Sequence, residues 1–199
     1  MIMNTFTTLP SYSLLCSSVF VYPTETCYGL GCDATDVDLV SRIYAIKGRS
    51  FTKPVSLIVT DIEMAEQYAE FSKKARDLAE KFWPGALTLV LPLRKDRREL
   101  ADIVRSEFVG LRVSSHRIAS AISRSLRRPI VATSANVSGK RECYSVSEVS
   151  AQFFHQKEKP DIIIDYGVLP RVPPTTIVKI AGDEVEIIRH GQVITSDLK

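Results

Sequence analysis

The sequence predicts an α/β fold, and three observations carry that reading. Short runs rich in β-branched and aromatic residues alternate with segments whose apolar residues recur at helical spacing, as in strands joined through helices. Two of these strands, ending near Pro23 and Ala132, run directly into clusters of Thr, Ser and Asn. Open α/β sheets bind ligands at the carboxyl ends of their strands. The 199 residues are 45% hydrophobic and 25% charged, enough apolar material for one sizeable core, so a single domain over 1–199 is expected.

Residues 1–13 are Thr- and Ser-rich without a period and read as a lead-in or an edge element, leaving 1–18 a poorly defined N-terminal edge. Residues 14–22 read as core strand, on Val19, Phe20, Val21 and Tyr22. No basic stretch precedes them as in a signal peptide, and no apolar run reaches the ~20 residues of a membrane span. Pro23 ends the strand by removing a backbone donor. Thr24, Glu25 and Thr26 then supply two hydroxyls and a carboxylate, and Gly29 and Gly31 allow backbone to approach backbone or ligand. Two readings stay open: a tight turn satisfied by its own side chains, or a site.

Thr35 or Asp36 can cap a helix with Val37, Val40, Ile43, Tyr44 and Ile46 largely on one face, delivering Lys47 at its carboxyl end. Lys47, Arg49 and Lys53 place three cations within seven residues ahead of a strand over 56–60. They suit a bound phosphate or, equally, the dipole at a solvated helix end. Helices are expected over 61–70 and 72–82, the latter stopped by Trp83-Pro84-Gly85, and a strand over 86–91. Trp83 reads as a core or lid residue, and Arg94, Lys95, Arg97 and Arg98 as a solvated loop. A strand over 110–113 encloses Arg112, which needs either a partner or a polar cavity. A helix through Ile118, Ala121, Ile122 and Leu126 leads to a strand over 129–132 that opens into Thr133, Ser134, Asn136 and Ser138 before Gly139. Such hydroxyls and amides can bond phosphate oxygens or close an ordinary Asx or Ser turn. A helix over 147–156, a strand over 161–165 and a hairpin of 175–180 with 185–189, turning at Gly182-Asp183, complete the chain.

Cys16, Cys27, Cys32 and Cys143 form no Cys-x-x-Cys pair and no zinc spacing with His116, His155 or His190, which argues for free thiols and a reducing, cytoplasmic setting. The net charge of +3 is mild, but no Lys or Arg precedes Arg42. Residues 29–34 fit G-x-G-x-x-G/A, yet no acidic residue follows ~20 positions on, and no Walker A motif occurs. A nucleotide site here is of another kind.

In order, the chain contains PTETCYGLG, KGRSFTKP, GLRV, TSANVSG, PTTIV and a final Arg189-His190-Gly191. This ordered set, spanning residues 23–191, resembles the YrdC-like family of threonylcarbamoyl-AMP synthases in its short single-domain form. The resemblance implies a twisted sheet of mixed parallel and antiparallel strands, flanked by helices, around a deep basic cavity. It implies formation of threonylcarbamoyl-AMP and pyrophosphate from L-threonine, bicarbonate and ATP, Mg²⁺ entering with ATP and no protein metal site. The intermediate would pass to a tRNA-modifying transferase complex acting on the adenosine beside the anticodon.

By the same resemblance, Lys47 and Arg49 are the catalytic cations on the phosphates, joined in the ATP site by Lys53, Ser134, Asn136 and Arg189. Thr24, Thr26, Tyr28, Arg112, Thr133, Thr175 and Thr176 fall to threonine, with Arg112 on its carboxylate. Lys47 and Arg49 are expected to face a polar cavity, so that removing either harms synthesis more than stability. Ser50 stands where the family often has Pro, Phe108 where Thr is frequent and Glu142 where a small hydroxyl residue is usual; these departures bear on contacts to the nucleotide. The chain ends eight residues after Gly191, as in members without the extra C-terminal domain. A rival reading is a double-stranded-RNA-binding or ribosome-maturation module, and another is a paralogue lacking the synthase activity. Cations gathered at strand ends beside hydroxyls, with no aromatic-and-basic RNP-like run, favour a concave small-anion site over a flat RNA face.

Overall fold

The computed structural model describes residues 3–50, 54–97, 100, 104 and 106–198. Its strands are β1 (Asn4–Phe6), β2 (Phe20–Pro23), β3 (Tyr28–Gly31), β4 (Ser56–Val59), β5 (Leu87–Pro92), β6 (Phe108–Val113), β7 (Ile130–Ser134), β8 (Ile162–Ile164), β9 (Thr176–Ala181) and β10 (Glu184–Arg189). The helices are α1 (Tyr12–Cys16), α2 (Val37–Lys47), α3 (Ile62–Glu66), α4 (Lys73–Phe82), α5 (Arg117–Leu126) and α6 (Val146–Phe153). The strands form one sheet in the order β1-β8-β2-β3-β7-β4-β6-β5-β9-β10. Pairing is parallel for β1 and β2 on β8, β4 on β6 and β5 on β9. It is antiparallel for β2 with β3, β3 and β4 with β7, β5 with β6, and β9 with β10. This is the mixed sheet flanked by helices that the resemblance implies.

The period of two along the strands divides the core between the sheet's faces. Val19 and Val21 join one apolar cluster and Phe20 and Tyr22 the other; Ile163 and its neighbours Ile162 and Ile164 split the same way. Leu15 of α1 and Ala119, Ile122 and Leu126 of α5 fill the second cluster, whereas α2, α4 and α6 cover the first. Helix starts follow their caps. The side chains of Asp36, Asp61, Ser72 and Ser145 accept from the backbone N–H of Leu39, Met64, Ala75 and Glu148, respectively. Gly48 ends α2 in the left-handed region, at φ 58°.

Two stretches fold otherwise than the sequence pattern suggests. Residues 14–16 are helical rather than the start of a strand: α1 ends at its C-cap Ser17, Ser17 and Ser18 break the apolar run, and strand pairing begins only at Phe20. The segment after the Thr24–Thr26 turn, which the sequence pattern assigns to no element, is strand β3. Its glycines make room for the ring of Tyr22, whose hydroxyl reaches across β3 to donate to the Val131 carbonyl at 3.0 Å. A Cβ at Gly29 would lie 3.0 Å from Tyr22 Cζ, and one at Gly31 would run into both that ring and the Val131 carbonyl. The sheet thereby gathers the turn after β2, the end of β7, Arg112 near the end of β6 and the start of β9 around one hollow.

Candidate active site

The turn after β2 is held by its own hydroxyls. Thr24 Oγ1 donates to the Cys27 carbonyl at 2.7 Å, accepts from the N–H groups of Thr26 and Cys27, and lies 3.0 Å from Thr26 Oγ1. The reading of a turn satisfied by its own side chains holds, and Thr24 and Thr26 also line a cavity of about 290 Å³. Thr88, Thr133, Ser134 and Thr175 add hydroxyl groups to its wall. Three guanidinium-bearing residues line it too: Arg49 beyond α2, Arg112 on β6 and Arg189 at the end of β10. Glu142 is the one carboxylate among the lining residues.

The three arginines are oriented by the protein without being used up. Arg49 donates to the Pro54 carbonyl at 3.0 Å and reaches Thr133 Oγ1 at 3.5 Å, while its Nε is buried without a hydrogen-bond partner among the described residues. Arg189 holds Thr175 through Nε to the carbonyl at 3.0 Å and Nη2 to Oγ1 at 2.6 Å. Burial, and then the charge of Arg112, hold Arg189 below the usual guanidinium range. Arg112 is 6% exposed and donates from Nη1 to Glu25 Oε1 at 2.7 Å. The structure thus gives Arg112 both attributes the sequence left open, a protein partner and a place in the cavity wall.

Four of the predicted residues do not line the cavity. Lys47 is only 3% exposed, and its Nζ donates to the Ser134 carbonyl at 2.5 Å, the Asn136 carbonyl at 2.9 Å and Asn136 Oδ1 at 3.1 Å. Its three donors are all engaged, which corrects the expectation that Lys47 faces the cavity as Arg49 does. Burial first, and Arg49 second, push its ammonium down to about 8. Asn136 Oδ1 also accepts from Ser134 Oγ at 2.6 Å, and its Nδ2 donates to the Lys140 carbonyl at 2.6 Å. Tyr28 is fully buried and pins the segment after β8, donating to the Gly167 carbonyl at 2.8 Å and accepting from Tyr166 N at 3.0 Å. Thr176 exchanges hydrogen bonds with the backbone of Val193. Lys53 lies outside the described residues.

Sequence reasoning missed Thr88 and Tyr144 in the wall, whereas Glu142, noted there as a departure bearing on the nucleotide, does line it. Thr88 had a signal, a lone hydroxyl in the apolar strand run; it now donates to Thr175 Oγ1 at 3.4 Å. Cys27 also lines the cavity, but burial pushes its thiol up, away from the nucleophilic thiolate. The arrangement is one of hydroxyls and cations. It suits neutralising and positioning anionic reactants rather than attacking them covalently.

Residues 14–191 match the Sua5/YciO/YrdC family profile, described as telomere recombination. The chain belongs to the Sua5/YciO/YrdC family. It is 41% identical over 184 residues to the threonylcarbamoyl-AMP synthase of Bacillus subtilis strain 168, covering 92% of this chain and 52% of that protein. It is 32% identical over 180 residues to the threonylcarbamoyl-AMP synthase of Idiomarina loihiensis, covering 88% and 94%. In structure it matches Pyrococcus abyssi Sua5 complexed with L-threonine, with a TM-score of 0.83, 31% identity, and coverage of 96% of this chain and 58% of that one. The chain thus spans about half the length of the Bacillus and Pyrococcus relatives and nearly all of the Idiomarina one. Among the described residues no helix is long and apolar enough to cross a membrane.

Proposed function

We propose that this protein is an L-threonylcarbamoyladenylate synthase, a nucleotidyltransferase that joins L-threonine, bicarbonate and ATP into threonylcarbamoyl-AMP with release of pyrophosphate and water. The observation that carries the reading is the convergence of Arg49, Arg112 and Arg189 on one hydroxyl-lined cavity. Relatives named for this activity and a Sua5 that binds L-threonine share the fold around it. The threonine amine takes up carbon dioxide derived from bicarbonate, and the resulting carbamate oxygen attacks the α-phosphorus of ATP as the bond to pyrophosphate breaks.

Each residue's part follows from its place. Arg112 takes the threonine carboxylate on the guanidinium edge that Glu25 leaves open, and Thr24, Thr26 and Thr175 surround the amino acid. Arg49, with its unpartnered Nε, and Arg189 offset the charge of the phosphates while Thr133 and Ser134 supply neutral donors. Lys47 acts behind them, holding the backbone of Ser134 and Asn136 in the form that presents those donors. A cavity of about 290 Å³ admits an amino acid and the reacting phosphates, with the nucleoside extending toward its mouth.

Among the described residues no group of three or more His, Cys, Asp or Glu side chains could hold a metal ion. Mg²⁺ would enter with ATP, held by its phosphates. The adenylate is an activated carbamoyl donor, so a tRNA-modifying transferase complex is the partner that consumes it. The test is to supply ATP, L-threonine and bicarbonate to the purified protein and measure pyrophosphate: release that needs both threonine and bicarbonate supports the synthase, and release indifferent to threonine refutes it.

A further inference from the structure

Glu25 occupies the turn that carries Thr24 and Thr26, yet it is not among the residues lining the reaction cavity. It faces a second hollow, shared with Thr24, His116, Arg117 and Tyr166, on the other side of the turn. From there its carboxylate makes two contacts to β6 and its exit: Oε1 accepts from Arg112 Nη1 at 2.7 Å, and Oε2 accepts from Ser114 Oγ. The pair is nearly dry, with the Arg112 and Glu25 side chains 7% and 12% exposed. Ser114 in turn accepts from the backbone N–H of His116, which caps α5.

We infer that Glu25 is a positioning residue for amino-acid recognition, acting through Arg112 from behind the cavity. The inference rests on the proposed synthase reading and goes beyond it by naming what sets the threonine site. By occupying Nη1, Glu25 fixes the rotation of the guanidinium and leaves Nη2, which bonds no other group among the described residues, to meet a substrate carboxylate. Its charge also offsets the repulsion between Arg112 and Arg189, which keeps the buried guanidinium in place for the substrate. Because Glu25 sits between Thr24 and Thr26, the same contact ties the two hydroxyls and the guanidinium into one rigid unit. The carboxylate site and the turn beside it cannot shift independently.

The selective consequence is a split between substrates. Glu25→Gln keeps the shape but loses the charge, releasing Arg112 to adopt other rotamers or pair elsewhere. Threonine affinity, measured by calorimetry, should fall about tenfold or more, and ATP affinity should stay within about twofold. KM for threonine should rise with it. Arg112→Lys should show the same bias, and the double variant Glu25→Gln/Arg112→Lys should lose less than the product of the single losses, because both remove one interaction. Ser114→Ala, which removes only the second anchor, should weaken threonine binding more mildly. It supplies the test if Glu25→Gln does not fold.

The failures are distinguishable. If the parent binds no threonine, the synthase reading falls and takes this proposal with it. If the parent binds threonine and a folded Glu25→Gln binds it equally well, or loses ATP and threonine affinity in equal measure, Glu25 is a structural residue and the proposal alone is overturned. Additive losses in the double variant would overturn it too.

Discussion

Lys47 holds Asn136 at two points, the side-chain Oδ1 at 3.1 Å and the backbone carbonyl at 2.9 Å, and grips the Ser134 carbonyl with its remaining donor. One buried ammonium thus fixes the loop that ends β7. Lys47→Ala would remove three charge-assisted hydrogen bonds, leaving the Ser134 carbonyl only the Asn136 N–H and Asn136 Oδ1 only Ser134 Oγ, and hydrogen bonds to a charged group contribute roughly 1.5–3 kcal/mol each, not additively. We expect a loss of at least about 2 kcal/mol, seen as a lower urea midpoint with an unchanged m-value. A variant as stable as the parent would show that these contacts contribute little.

The lowered pKa of Lys47 also sets a pH dependence. Between its folded value of about 8 and its ordinary value of 10.5, the folded protein binds fewer protons at this group than the unfolded chain does. Stability from Lys47 therefore rises as pH rises through that window, and the contribution is at its lowest below it. Buried thiols and phenols titrate there with the opposite sign, so the comparison must be differential. The parent minus Lys47→Met difference in unfolding free energy should move in the parent's favour from pH 8 to 10.5; a flat difference contradicts the assignment.

Arg49 contrasts with its neighbour. Its hydrogen bonds are peripheral and its Nε is unpartnered among the described residues, so Arg49→Ala should leave stability within about 1 kcal/mol of the parent. Synthesis should fall by roughly a hundredfold or more, the scale for removing one preorganised transition-state donor. Pyrophosphate release at the parental rate would remove Arg49 from the phosphate site.

Ser134 and Asn136, two residues apart, should separate in the same way. Ser134 lines the cavity, so Ser134→Ala is expected to weaken ATP binding about tenfold or more with little change in threonine binding or stability. Asn136 lies behind it and serves Lys47, Ser134 and Lys140, so Asn136→Ala should lose stability as well as ATP affinity. Calorimetry and chemical denaturation on the two variants measure this; the reverse pattern would exchange their roles.

How far the site was legible follows from the same pairs. The alternation of strand and helix, the caps at Asp36 and Ser72 and the hairpin at Gly182-Asp183 could be read directly, because each has a local cause. Helix α1 was hidden because its five residues are too few to show a helical period. Strand β3 was hidden by glycines whose purpose, clearance for the Tyr22 ring, depends on a residue two strands away from its acceptor. A motif also reports neighbours in sequence, whereas the two faces of a strand separate them. Thr175 lines the cavity and the adjacent Thr176 turns to Val193; Thr26 lines the cavity from the turn, whereas Tyr28, already on β3, anchors the segment after β8.

Selectivity for threonine should combine a carboxylate anchor with hydroxyl contacts. One methyl distinguishes Thr from Ser by only ~1–3 kcal/mol, whereas a site that bonds the side-chain hydroxyl rejects Val far more strongly. Serine is expected to be a poor but measurable substrate and valine nearly inert, and Arg112→Lys should lower kcat/KM for all three in similar proportion. A changed ranking would place Arg112 on the side-chain pocket instead.

The central claim is that this cavity builds a carbamoylated amino acid onto AMP, and mass spectrometry of the product tests it most directly. The purified protein is incubated with ATP, L-threonine and ¹³C-bicarbonate, and the adenylate is captured before it hydrolyses. Threonylcarbamoyl-AMP carrying one ¹³C atom is expected, formed by the parent and sharply reduced in Arg49→Ala. Hydrolysis of ATP to AMP with no labelled adduct, or an adduct formed equally well by Arg49→Ala, would contradict it.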